Sequence, residues 1–126
     1  MEKRALTEKI IGCAYRVYNQ LGAGFLESVY EKCMLIELKE LGLETISQHP
    51  VCVHYKGEEV GNFFADLVVE NSVIVELKAV QSISVAHEVQ LVNYLTATGI
   101  DVGLIINFSD TEVEVKRKVR SLKNLN

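Results

Sequence analysis

The chain has 126 residues, 48% of them apolar and 24% charged, with one proline and eight scattered glycines. Such totals describe one globular domain able to bury a core, spanning 1–126, and exclude a collagen-like, low-complexity or disordered chain. The formal net charge of −4 is uneven: residues 1–115 carry eight Lys or Arg against all seventeen Asp and Glu, whereas KRKVRSLKNLN (116–126) carries five basic residues and no acid. That end is either a basic patch able to meet phosphates or a solvated tail.

No stretch approaches the roughly 18 apolar residues that cross a bilayer, and the opening MEKRALTEK lacks the apolar region of a secretory signal. A soluble, cytoplasmic protein with no membrane contact is expected. Cys13, Cys33 and Cys52 are odd in number, far apart and set in apolar patterns. They are expected to be small buried hydrophobes in a reducing compartment rather than a disulfide framework.

From Leu6 to Leu21 the residues Ile10, Cys13, Ala14 and Val17 recur at helical spacing, and Gly22 and Gly24 mark the stop. A second helix is predicted from Leu26 to Leu41 on the stripe Val29, Tyr30, Cys33, Met34 and Leu38, with Gly42 at its end. The period then becomes two: Val51, Val53 and Tyr55 alternate with Cys52, His54 and Lys56 before a turn at Gly57. Strands follow at 60–70 and 73–80 around a short link at Asn71, then a helix from Ile83 to Thr98 closed by Gly99. VGLIINF (102–108) has the unbroken apolar character of a covered strand, and EVEVKRKV is an edge strand or a helical tail. The order α-α-β-β-β-α-β, with one more strand if the tail is extended, gives an α/β (α+β) fold. Its mixed sheet of four to five strands is flanked by helices and holds a parallel pair beside an antiparallel hairpin.

VIVELKAV (73–80) raises the chemical question, because Glu76 and Lys78 interrupt an otherwise buried strand. Unpaired buried charges are costly, and strand alternation sets these two on one face. Asp66 lies ten positions earlier on the preceding strand. A three-residue link Glu70-Asn71-Ser72 with Val69 opposite Val73 brings Asp66 opposite Glu76, whereas a two-residue link turns it away; the first register is the one expected. Two carboxylates about 4 Å apart repel by roughly 4 kcal/mol at an effective dielectric near 20. A hard divalent cation removes that cost, and Mg²⁺ would suit Asp66, Glu76 and the backbone carbonyl of Leu77. Lys78 would then orient a water or neutralise developing charge.

Asp66 followed at this spacing by Glu76-Leu77-Lys78 resembles the PD-(D/E)XK nucleases, with Ala65 where their name puts proline. Gly24-Phe25-Leu26-Glu27-Ser28-Val29-Tyr30 is similar to the motif that names the GxxExxY family, a branch of that superfamily. LGAGFLESVYEK, the stretch Gln48 to Val53, FADLVVENSVIVELKA and QLVNYLTATG fall in the family's order, so the resemblance covers nearly the whole chain. It implies a restriction-endonuclease-like core with Asp66, Glu76 and Lys78 as metal and catalytic residues, and Glu27 as a further acid. Gln90 and Tyr94 are similar to the QxxxY element of RecB-type nucleases and, at i,i+4, share a helix face.

Blander readings stand beside these. Glu76 and Lys78 would suit a sheet-edge ion pair, Glu27 a helix first turn, and Gln90 and Tyr94 a helix surface with Tyr94 partly in the core. His49, Cys52 and His54 spell H-x-x-C-x-H without a nearby fourth ligand, and His87 reads as a surface residue. The expected function is a Mg²⁺- or Mn²⁺-dependent nuclease acting on DNA or RNA; the alternative is a catalytically silent nuclease-fold module that binds nucleic acid or protein. Cores this small usually grip a substrate with help, so a homodimer or a protein partner is also expected.

Overall fold

The computed structural model describes residues 3–120. Helical spacing produces the first layer: α1 (Arg4–Leu21) buries Ile10, Cys13, Ala14 and Val17 along one stripe, and α2 (Glu27–Glu40) buries Tyr30, Met34 and Leu38. Both stripes pack on Val73, Val75, Leu77, Leu104 and Ile106, which alternate along two central strands. The second layer is a five-stranded sheet, β1 (Thr45–Tyr55), β2 (Glu58–Val69), β3 (Val73–Lys78), β4 (Val102–Phe108) and β5 (Val113–Val119), in that spatial order. The third is α3 (Val85–Thr98), whose Leu91, Tyr94 and Leu95 cover Val68, Ile74 and Ile105 on the opposite face. A parallel pair needs a crossover, and α3 supplies it between β3 and β4; the other three pairings are antiparallel.

The register between β2 and β3 is the one the three-residue link requires, with Val69 opposite Val73 and Leu67 opposite Val75. Glu70 and Asn71 adopt left-handed backbone at φ 53° and 51°, and the Ser72 amide donates to the Val69 carbonyl. Both residues tolerate that conformation in a tight turn far better than a β-branched side chain would.

Element ends differ from the periodicity for identifiable reasons. β1 begins at Thr45, six residues before the alternating run, because an edge strand tolerates Pro50 and needs no apolar face there. β3 ends at Lys78 because the Asn107 carboxamide takes over the pairing: it accepts from the Val80 amide and donates to the Val80 carbonyl. α3 begins at Val85 because Ser84 caps it; the Ser84 hydroxyl accepts from the His87 amide and the His87 ring accepts from the Ser84 amide. His87 is therefore a capping residue. EVEVKRKV resolves as an edge strand, so Lys116, Arg117 and Lys118 lie on β5, while 121–126 of the basic end lie outside the described residues. Of the cysteines, Cys13 is buried as expected, but Cys33 is only half-buried and Cys52 is exposed on the β1–β2 hairpin; alternation on an edge hairpin leaves one face uncovered.

The loop into α2 fixes where the first candidate acid stands. Gly24 sits at φ 99°, a backbone conformation that glycine adopts freely. The Tyr30 hydroxyl donates to the Gly22 carbonyl at 2.7 Å and accepts from the Phe25 amide at 3.4 Å. Its ring stacks on Phe108 with centroids 4.2 Å apart and planes 3° from parallel. Glycine and tyrosine of the G-x-x-E-x-x-Y element thus shape and latch the loop that presents Glu27 at the first position of α2. Tyr30→Phe keeps the stacked ring but removes the partner of the half-buried Gly22 carbonyl, and should cost about 1–2 kcal/mol in urea unfolding.

Candidate active site

The β2–β3 ladder stops after three residue pairs. Beyond it the strands are joined by side chains: the Leu77 amide donates to Asp66 Oδ2 at 2.8 Å, and the Asp66 amide donates to Glu76 Oε2 at 2.9 Å. Each carboxyl group takes the place of a missing cross-strand carbonyl, so the next pair in register is a reciprocal carboxyl–amide clasp. Asp66 and Glu76 therefore meet, as the odd-length link predicts.

Other elements close around this fork. Gln48 of β1 drops out of the ladder at φ 52°, a left-handed conformation unusual for glutamine. From there its side-chain amide donates to Asp66 Oδ1 at 3.3 Å and to Glu31 Oε1 of α2 at 3.1 Å. Glu27, one helical turn before Glu31, is exposed, and its charge acts on both Glu31 and Glu76. Lys78, half-buried at the end of β3, faces the same side as Glu76 and its charge opposes that of the acid. Tyr94 of α3 feels the charges of Glu76 and Asp66. Gln90, one turn before it, is exposed and lines a cleft that Tyr94 shares.

Burial dominates the electrostatics. Glu76 is 6% exposed. Its carboxyl is pushed up to about 8, first by burial and then by the charge of Asp66, while the Asp66 amide and Lys78 pull it back and Glu27 adds to the rise. Glu31 is raised, mainly by burial, against its hydrogen bond from Gln48; Asp66 and Glu27 contribute. The Tyr94 phenol is raised by burial and then by Glu76 and Asp66. These directions describe acids crowded enough that one keeps its proton near neutrality.

The anticipated ligand set of Glu27, Asp66, Glu76 and the Leu77 carbonyl is not assembled into a coordination sphere. Among the described residues no group of three or more His, Cys, Asp or Glu side chains is close enough to hold a metal ion. One oxygen of Asp66 and one of Glu76 are committed to backbone amides, and Glu27 stands exposed on a different element.

A family model matches residues 4–118, and its description is the PD-(D/E)XK nuclease superfamily. The chain belongs to that superfamily. No curated protein matches it. The crystal structure of SSO0001 superposes with a TM-score of 0.60 at 17% identity, covering 77% of this chain and 52% of that one. This PD-(D/E)XK chain thus spans about half the length of that protein, and the likeness shows the fold.

For this PD-(D/E)XK chain, sequence reasoning missed Glu31 and Gln48. Glu31 had a signal: at i+4 from Glu27 it shares a helix face with that acid. Gln48 opens one of the stretches that carry the resemblance, but nothing in its spacing points to the acids, because its place depends on a left-handed kink that glutamine does not advertise.

The raised Glu76 acid sets a pH dependence. A carboxyl whose folded value lies above its ordinary value of 4.5 favours folding fully below that value, and the benefit fades as pH rises towards about 8. In chelator, stability should fall by a few kcal/mol between those limits, on the order of 3–5 from the size of the shift. Glu76→Gln should flatten most of that slope in urea unfolding across the same range.

Proposed function

We propose that this chain is a Mg²⁺- or Mn²⁺-dependent phosphodiesterase acting on nucleic acid, within the GxxExxY branch of its superfamily. The observation that carries this reading is the reciprocal clasp of Asp66 and Glu76 at the end of the β2–β3 ladder, with Lys78 two residues on. A fold with only structural needs would continue the ladder with backbone groups; here two acids stand where the strands part, and one of them is held near neutrality.

The donors are hard carboxyl and carbonyl oxygens, which suit Mg²⁺ or Mn²⁺ better than zinc. Glu27, Asp66, Glu76 and the Leu77 carbonyl would hold the ion, which when bound lowers the pKa of a water and polarises a phosphoryl oxygen. Glu76 would lose its proton as it turned its carboxyl to that role. Lys78 orients the attacking water or offsets charge at phosphorus, and its half-buried position limits competing solvent. Gln90 and Tyr94 position the substrate from α3. The superfamily's usual dependence on divalent ions and its nucleic-acid substrates support the assignment.

A single domain over 1–126 and a reducing, cytoplasmic compartment complete the proposal. Two cores on one sheet support the first, and three free cysteines are compatible with the second. No helix of the described residues is long and apolar enough to cross a membrane. The second reading is a silent binding module, alone or with a second copy or partner protein; the dispersed acids without a three-donor group favour it.

Two measurements separate the readings. Mg²⁺ or Mn²⁺ at a hundredfold excess over its dissociation constant should raise stability by about 2.7 kcal/mol, releasing a proton at neutral pH as Glu76 ionises. Glu76→Gln should abolish the proton release. In the same ions, DNA or RNA should be cut, and Glu76→Ala or Lys78→Ala should lower the rate by at least about a hundredfold. Cleavage that survives both substitutions in clean preparations would exclude this site.

A further inference from the structure

A cleft of about 930 Å³ lies between the β1–β2 hairpin and α3, and Tyr94 is common to it and to the carboxylate site. It exists because β2 outruns β3: the hairpin continues past the fork while α3 packs beside it. Phe63 forms one side of it. That ring is 44% exposed, whereas Tyr94 is 7% exposed, so the accessible aromatic face in the cleft belongs to Phe63. The two rings lie 5.9 Å apart and tilted by 35°, which braces Phe63 from one flank.

Gly61 also lies against the ring. A Cβ at that position would come within 2.9 Å of Phe63 Cε2, so the ring occupies space that any other residue would fill. The glycine here is needed for a close approach, since its backbone is not left-handed. An exposed aromatic ring seated over a glycine and against a buried tyrosine is a fixed platform. Around the cleft stand His54, Gln90 and Asn93, which offer donors and acceptors. Among the described residues that line it there is no lysine or arginine.

We propose that this cleft receives an unpaired nucleobase of a single-stranded nucleic acid, stacked on Phe63 with its edge against Gln90, Asn93 and His54. The inference rests on the nuclease reading for the polymer it names and adds the class of strand. A volume within the common range for small-molecule sites accommodates one nucleotide. The absence of lysine and arginine among the described lining residues fits a neutral base better than a phosphate. Every base has a π-face, so such a platform tolerates sequence, while a paired base inside a duplex cannot reach it.

The test uses fluorescent single strands of about a dozen nucleotides, DNA and RNA in separate arms, bound to the full chain in EDTA so that nothing is cut. Wild type should bind them more tightly than the matching duplex, and quench a 2-aminopurine placed in the strand. Phe63→Leu keeps apolar bulk without a π-face and should weaken binding about tenfold, whereas Phe63→Tyr should restore it. Gly61→Ala displaces the ring without emptying the core and should mimic Phe63→Leu, which covers the case where that variant folds poorly. Strands lacking bases throughout should bind wild type and Phe63→Leu alike. Equal binding of wild type and both ring-disturbing variants, or preference for the duplex, overturns the inference. If cleavage depends on Glu76 and Lys78 yet strand binding ignores Phe63, the cleft fails alone. If binding depends on Phe63 but Mg²⁺ and Mn²⁺ bring no cleavage, the nuclease reading fails and the cleft stands.

Discussion

The site depends on how β2 and β3 part. An antiparallel ladder satisfies backbone groups in pairs, and where two strands diverge the freed amides need other acceptors. Asp66 and Glu76 supply them, each reaching across to an amide on or next to the other's strand position. Those contacts hold two acids together that would otherwise separate, and they explain how a 6% exposed glutamate is tolerated: one oxygen is paired and the group keeps its proton near neutrality.

Other parts of the chain brace the same fork. Tyr30 latches the loop that starts α2 and so fixes Glu27 and Glu31 relative to the sheet. Gln48 leaves regular strand geometry to bridge Glu31 and Asp66, joining helix, edge strand and central strand through one carboxamide. Asn107, fully buried, takes the backbone of Val80 through both ends of its carboxamide and also donates to Glu114, which accepts from the Ile83 amide. That network sets the path of the chain directly after Lys78. Local irregularity is thus concentrated around one point of the sheet, while the two apolar cores on either side stay regular.

Charge follows the same division. Basic residues on and directly after β5 serve the fold: Lys118 of β5 pairs with Glu88 of α3 at 2.9 Å, and Arg120, which follows the strand, pairs with Asp101 at 2.9 Å. These exposed or half-exposed pairs contribute little stability, about 0–1 kcal/mol each, but they tether an edge strand to its neighbours. Around the fork the acids meet neutral or single partners instead: Gln48 donates to Glu31 and Asp66, and the charge of Lys78 acts on Glu76.

The sequence by itself determined the order of the first seven elements and the parallel pair implied by the crossover helix, both from local periodicity. It left two readings open for the register that brings Asp66 to Glu76 and for the last element, and the tertiary structure decided both. The sequence also singled out the G-x-x-E-x-x-Y element through resemblance, though not that its tyrosine serves as a latch. Only the tertiary structure decided that Gln48 and Glu31 belong to the acidic cluster, that Cys52 is exposed, that the expected ligand set is not closed, and that Phe63 lies over Gly61 beside a cleft. Each of these depends on a left-handed kink, on an edge left uncovered or on two strands of unequal length, and none of those leaves a periodic mark on the chain.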